Sequence, residues 1–192
     1  RDNSPNSILV YNGAMWMLSG ETRDENGIWY TLTDVWKSEN GIHWELVNEQ
    51  APYKHISSFV VYENQMWAFD ENAYTSNDGA SWNLQSGGVP FESFKTRVVV
   101  HNGELINVTK NRVYRSLNGT DWDIINSNAP WSDRQLPRLV SFKGKLWFIG
   151  GVQNYGTAAV EVLNDIWQSG DGGVTWTQAH TSNIWPGRIW PT

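Results

Sequence analysis

The sequence predicts an all-β fold, a β-propeller whose blades are four four-stranded antiparallel sheets. Three observations carry that prediction. A turn motif recurs four times, at Ser38–Trp44, Ser76–Trp82, Ser116–Trp122 and Ser169–Trp176, and a motif that returns roughly every 40 to 50 residues marks a repeat architecture. Each copy is preceded by two short apolar runs split by a tight-turn signal, and by a third run that enters the motif through an aromatic. A fourth run starts at the motif's own tryptophan. Four short strands per repeat, repeated around an axis, are propeller blades.

The elements follow in order. The first runs are Ile8–Tyr11, Phe59–Tyr62, Val98–His101 and Leu139–Phe142, each closed by a turn pair: Asn12-Gly13, Glu63-Asn64, Asn102-Gly103 and Lys143-Gly144. Asn-Gly pairs accept the positive φ that two-residue hairpins need. The second runs begin at Ala14, Gln65, Glu104 and Lys145, and the third carry Trp36, Tyr74, Tyr114 and Trp167. In the motif itself, a Ser hydroxyl and an Asx side chain bond backbone N–H groups, Gly takes the unusual dihedral and Trp packs back over the strands. The motif is therefore read as a folding device. Blades are expected at about 8–48, 57–86, 96–126 and 137–180 of one domain, or one piece of a propeller, spanning residues 1–192.

Bulk properties narrow the function. A net charge of −6 and no Lys/Arg run argue against nucleic acid as a partner, and no apolar stretch is long enough for membrane insertion as a helix. Zero cysteines exclude disulfides and thiolate chemistry. His43, His55, His101 and His180 show no metal-ligand spacing. No cofactor or metal is expected.

Two copies carry insertions between the second and third strands, at residues 20–33 and 150–164, where the others have two or three residues. Alternate strands run in opposite directions, so these insertions share one end of the fold with the blade-to-blade links, and insertions on one face of a repeat array mark its binding face. The residues gathered there are the candidate ligand-binding set: Arg23, Trp29, Tyr53, His55, Glu92, Trp131, Arg134, Tyr155, Trp185 and Arg188. Aromatic platforms flanked by charged groups suit a sugar or a peptide. Nine other tryptophans, Trp44 among them, are read as packing. A second reading of Trp131-x-x-Arg134 and Trp185-x-x-Arg188 is a recurring joint between blades.

The four turns resemble Asp boxes, the Ser-x-Asp-x-Gly-x-Thr-Trp turns of sialidase-type propellers; only Ser169–Trp176 has the full spacing, while Asn40 and Asn118 replace the aspartate. The segment Lys143–Gly151, with Leu163–Trp167, is similar to a kelch repeat. The resemblance implies an extracellular, periplasmic or cell-surface protein. It also implies, as one alternative, a sialidase-like or other glycoside hydrolase, with an arginine cluster, a tyrosine nucleophile assisted by glutamate and an aspartate acid/base. Gly187-Arg188-Ile189-Trp190-Pro191 breaks the Phe/Tyr-Arg-Ile-Pro order that carries the first arginine there, and no catalytic residues are assigned. The favoured reading is a non-catalytic module that binds a glycan or protein partner. Four blades are few for this type of repeat, so either further blades of a longer parent chain or self-association is expected.

Overall fold

The computed structural model describes residues 8–54, 58–91, 97–180 and 185–186, and of His180 the backbone. His55, Glu92 and Arg188 lie outside the described residues. The described chain is all β: four four-stranded antiparallel sheets, the blades of a β-propeller. The first blade comprises β1 (Ile8–Tyr11), β2 (Ala14–Arg23), β3 (Trp29–Ser38) and β4 (Glu45–Asn48). The second comprises β5 (Ser58–Tyr62), β6 (Gln65–Phe69), β7 (Asn72–Ser76) and β8 (Asn83–Gly87). The third is β9 (Arg97–His101), β10 (Glu104–Thr109), β11 (Arg112–Ser116) and β12 (Asp123–Asn126). The fourth is β13 (Arg138–Phe142), β14 (Lys145–Gln153), β15 (Glu161–Ser169) and β16 (Thr177–His180). Two compact units divide the chain, residues 1–89 with the first two blades and residues 90–192 with the last two.

Local rules explain each sheet. All four turns between first and second strands place both central residues at positive φ, from Asn12 at 48° and Gly13 at 73° to Lys143 at 50° and Gly144 at 72°. That is the conformation whose twist matches paired strands. A bulge interrupts the pairing of third and fourth strands at one repeat position in every blade, immediately before Trp36, Tyr74, Tyr114 and Trp167. The extra residue, Val47, Gln85, Ile125 or Ala179, lies on the fourth strand opposite that step and bends it.

Each Ser–Asx turn has the bonding its sequence implies. Ser76 Oγ accepts the Gly79 N–H at 2.8 Å, and Asp78 Oδ1 accepts those of Ala80 at 3.0 Å and Ser81 at 2.8 Å. Asn40 does the same for Ile42 and His43, both at 2.9 Å, because only the carbonyl oxygen is needed. In the fourth turn the added residue moves the Asp171 bond to Thr175. Ser38, Ser76, Ser116 and Ser169 are all buried, so the turns belong to the scaffold.

Apolar faces meet within each unit. In the first, Trp16, Leu18, Phe59 and Met66 join one cluster between the two blades, and Tyr11 donates across to the Asn64 carbonyl at 2.9 Å. In the second, Ile106, Val108, Leu139 and Phe148 do the same, and His101 Nδ1 is 2.9 Å from Ser141 Oγ. The last residue of the fourth strand ties one blade to the next turn: Asn48 donates to the Ala80 carbonyl at 2.7 Å and Asn126 to that of Val174 at 2.9 Å.

The two insertions continue the hairpins as strand at residues 20–23 and 29–33 and at 150–153 and 161–164, leaving the tips 24–28 and 154–160 outside the strands. They lengthen β2 and β3 to 10 residues each and β14 and β15 to 9 each. A bulge starts each extension, at Leu18/Gly20 and Ile149/Gly151. Gly151 sits at φ 110°, and a Cβ there would come within 2.9 Å of the Gln135 carbonyl oxygen, so only glycine fits the bend.

Candidate functional site

The links and the turns between second and third strands occupy the same end of each blade, as the up-and-down strand order requires. The Ala129 N–H donates to the Asn111 carbonyl at 2.8 Å, and those of Gly88 and Val89 both donate to the Glu71 carbonyl at 3.1 Å. The link after the first blade is held likewise: the Lys54 N–H reaches Asp70 Oδ2 at 3.0 Å.

Three candidates in these links are interior groups. Tyr53 is 2% exposed and meets Phe59, Tyr74 and Trp82 edge-on, at 5.7, 6.4 and 5.3 Å between ring centres. Burial pushes its phenol pKa up, with the charge of Asp34 adding to the effect. Trp131 is 4% exposed, lies over Phe148 at 4.2 Å and donates its indole N–H to the Lys110 carbonyl at 2.7 Å. Arg134, also 4% exposed, bonds Asp165 and the carbonyls of Gly150 and Ser132. A ligand meeting the surface does not reach these three side chains. The Trp131-x-x-Arg134 step is thus a joint within the second unit: the indole seals the gap between blades and the guanidinium crosses β14 and β15.

Phe91 plays the Tyr53 part for the third blade, 6.2 Å from Tyr114 and 5.0 Å from Trp122. One aromatic per link, Tyr53, Phe91 or Trp131, wedges into the blade that follows. The tip of the β2–β3 hairpin is different. Register pairs Arg23 with Trp29 across the tip. Asp24 organises what lies between: its Oδ1 accepts the Ile28 N–H at 2.7 Å and the Asn26 N–H at 3.0 Å, and its Oδ2 accepts the Tyr30 hydroxyl at 3.1 Å.

The Ile28 bond, first among these contacts, keeps the Asp24 carboxyl below the ordinary aspartate range. Arg23 Nε closes the loop on the Gly27 carbonyl at 2.8 Å, and its guanidinium stands 5.7 Å from the Trp29 ring centre. Ile28, Trp29 and Tyr30 remain 56%, 56% and 48% exposed. The backbone is fixed while its aromatic surface faces water.

In the second unit, the β14–β15 tip exposes Tyr155 by half. Its loop is held by the Thr157 hydroxyl, 2.8 Å from the Asn154 carbonyl. Trp185 is 39% exposed, and its carbonyl accepts Asn164 Nδ2 at 3.0 Å. Arg23 and Trp29 therefore share one tip, while Tyr155 and Trp185 belong to the other unit. Among the described residues no group of three or more His, Asp or Glu is placed to hold a metal ion.

No protein-family model matches the sequence, and no curated protein matches it. Among solved structures, that of YjhT, a propeller-type protein, is similar over 95% of this chain and 71% of its own, with a TM-score of 0.75 and 12% identity. A likeness at that identity is one of fold: this chain is a β-propeller of four blades.

Proposed function

We propose that the chain is a non-catalytic propeller module that binds a glycan or protein partner through its long hairpins, with the β2–β3 tip as the principal contact of the first unit. One observation carries the reading: Trp29 and Tyr30 stand exposed on a backbone already fixed by Asp24 and Arg23. A preorganised aromatic surface binds without the cost of ordering a loop. Tyr and Trp supply large contact area with few torsions to immobilise.

Asp24, Asp78 and Asp171 are held below the ordinary carboxyl range by the turn groups they accept from, which suits fixed acceptors that stay ionised. We read the turns as Asp boxes serving the scaffold, and place the protein outside the cytoplasm on that resemblance. Further blades or a second copy complete the assembly in this reading.

The test is a glycan array and an affinity capture with the full chain, in parallel with Trp29→Ala and a set of aryl glycosides. Binding that Trp29→Ala abolishes, without glycoside turnover, is the expected result. Turnover that survives in Trp29→Ala would replace this reading with the hydrolase.

A further inference from the structure

The four Ser–Asx turns are built alike, yet one tryptophan is set apart. In the second, third and fourth turns the indole N–H donates to the turn's glycine carbonyl, Trp82 to Gly79 at 3.0 Å, Trp122 to Gly119 at 3.3 Å and Trp176 to Gly173 at 2.9 Å. A link aromatic also stands edge-on against each: Tyr53 on Trp82, Phe91 on Trp122 and Trp131 on Trp176, at 5.3, 5.0 and 4.9 Å. Among the described residues Trp44 makes neither contact. Its turn is not distorted, since Ser38 Oγ still accepts the Gly41 N–H at 2.9 Å.

Trp44 instead lines an open cleft of about 290 Å³ with Lys37, Glu39, Asn40, His43 and Glu45. Lys37 Nζ is fixed by Glu39 at 3.0 Å. Asn40 spends its carbonyl oxygen on the turn and its amide makes no bond among the described residues, whereas the equivalent amide of Asn118 is engaged by Asp121 at 2.8 Å. An aromatic ring thus adjoins acceptors at Glu39 and Glu45 and donors at Lys37 and Asn40.

We propose that this cleft is a neutral-saccharide site, with an apolar sugar face on Trp44 and hydroxyls on the surrounding carboxylates, amide and ammonium. A saccharide presents both an apolar C–H face and hydroxyls that donate and accept, and charged partners shorten and strengthen such bonds. An anion would meet Glu39 and Glu45, and a cation would meet Lys37. The cleft lies at the opposite end of β3 from Trp29, nine residues and so roughly 30 Å away. It is a separate site from the hairpin tip.

The test uses the full chain with ¹⁵N-labelled indoles, titrated with cellotriose, maltotriose and triacetylchitotriose. At least one should shift the Trp44 indole resonance saturably. Trp44→Ala should abolish the effect, Trp44→Phe should retain it, and Glu45→Gln should weaken it about tenfold, the scale of one charge-assisted hydrogen bond. Leu84→Ala, on an outer strand, should leave it unchanged. No shift of that resonance by any of the three up to their solubility would overturn the proposal. So would saturation by N-acetyltryptophanamide alone, because the cleft would then be a receptor for an aromatic wedge.

Discussion

Replacing Trp131 by alanine decides between two roles for the most ambiguous aromatic of the chain. The indole is 4% exposed, stacked on Phe148, edge-on to Trp176 and bonded to the Lys110 carbonyl. A buried tryptophan removes about 150–250 Å² from water, worth roughly 4–6 kcal/mol as an upper bound at about 25 cal/mol/Å². Tryptophan-to-alanine substitutions in cores cost about 3–5 kcal/mol, and the orphaned Lys110 carbonyl adds roughly 1 kcal/mol. Trp131→Ala should therefore lower unfolding free energy by at least about 3 kcal/mol, close to the whole stability of a marginal domain. Trp131→Phe keeps the stacking and should lose about half as much. Urea unfolding followed by far-ultraviolet dichroism measures both. A loss below about 1 kcal/mol for the alanine variant would return Trp131 to the surface and refute the wedge.

The remaining predictions rest on single contacts. Asp165→Asn leaves the buried Arg134 guanidinium without its carboxylate and should cost about 3 kcal/mol in the same assay; a change below about 0.5 kcal/mol would argue against the joint. Asn48→Ala and Asn126→Ala remove equivalent bonds to the next turn and to the Gln50 and Asn128 N–H groups. Each should cost about 1–2 kcal/mol, and a large inequality between them would show that the two units are not built alike. Asp78 is held low, first by the Ser81 N–H, and Asp171 by Thr175 against a desolvation that pushes it up. Their stabilisation is complete above the unfolded aspartate value of about 3.9 and is lost as pH falls through the lower folded values. Melting between pH 5 and 2 should fall less steeply in Asp78→Asn, and an unchanged acid limb would contradict the turn's electrostatics.

What was legible follows from how local the physics is. Hairpin turns at Asn12-Gly13 and Lys143-Gly144 and the Ser–Asx turns are specified by a few adjacent residues, so the sequence reading locates all four. The conformation of the insertions is not legible in the sequence, because their residues continue the hairpin past a bulge and β-extension depends on cross-strand partners such as Arg23 with Trp29. Tyr53, Trp131 and Arg134 look like surface binders because they lie in links rich in polar residues. Only the tertiary fold shows the cavity each fills. Trp44 reads as packing by analogy with its three counterparts, and the indole bond to the turn glycine that those three make is not a property adjacent residues reveal.

The central claim is that the tryptophans divide into scaffold rings locked by wedges and bonds, and accessible rings that meet ligands. Hydroxyl-radical footprinting of the native chain, read by mass spectrometry at each tryptophan, tests that division without any ligand. Trp29 and Trp185 should oxidise fastest, while Trp16, Trp67, Trp131 and Trp176 stay protected until unfolding. Oxidation of Trp131 at the rate of Trp29 would contradict the account.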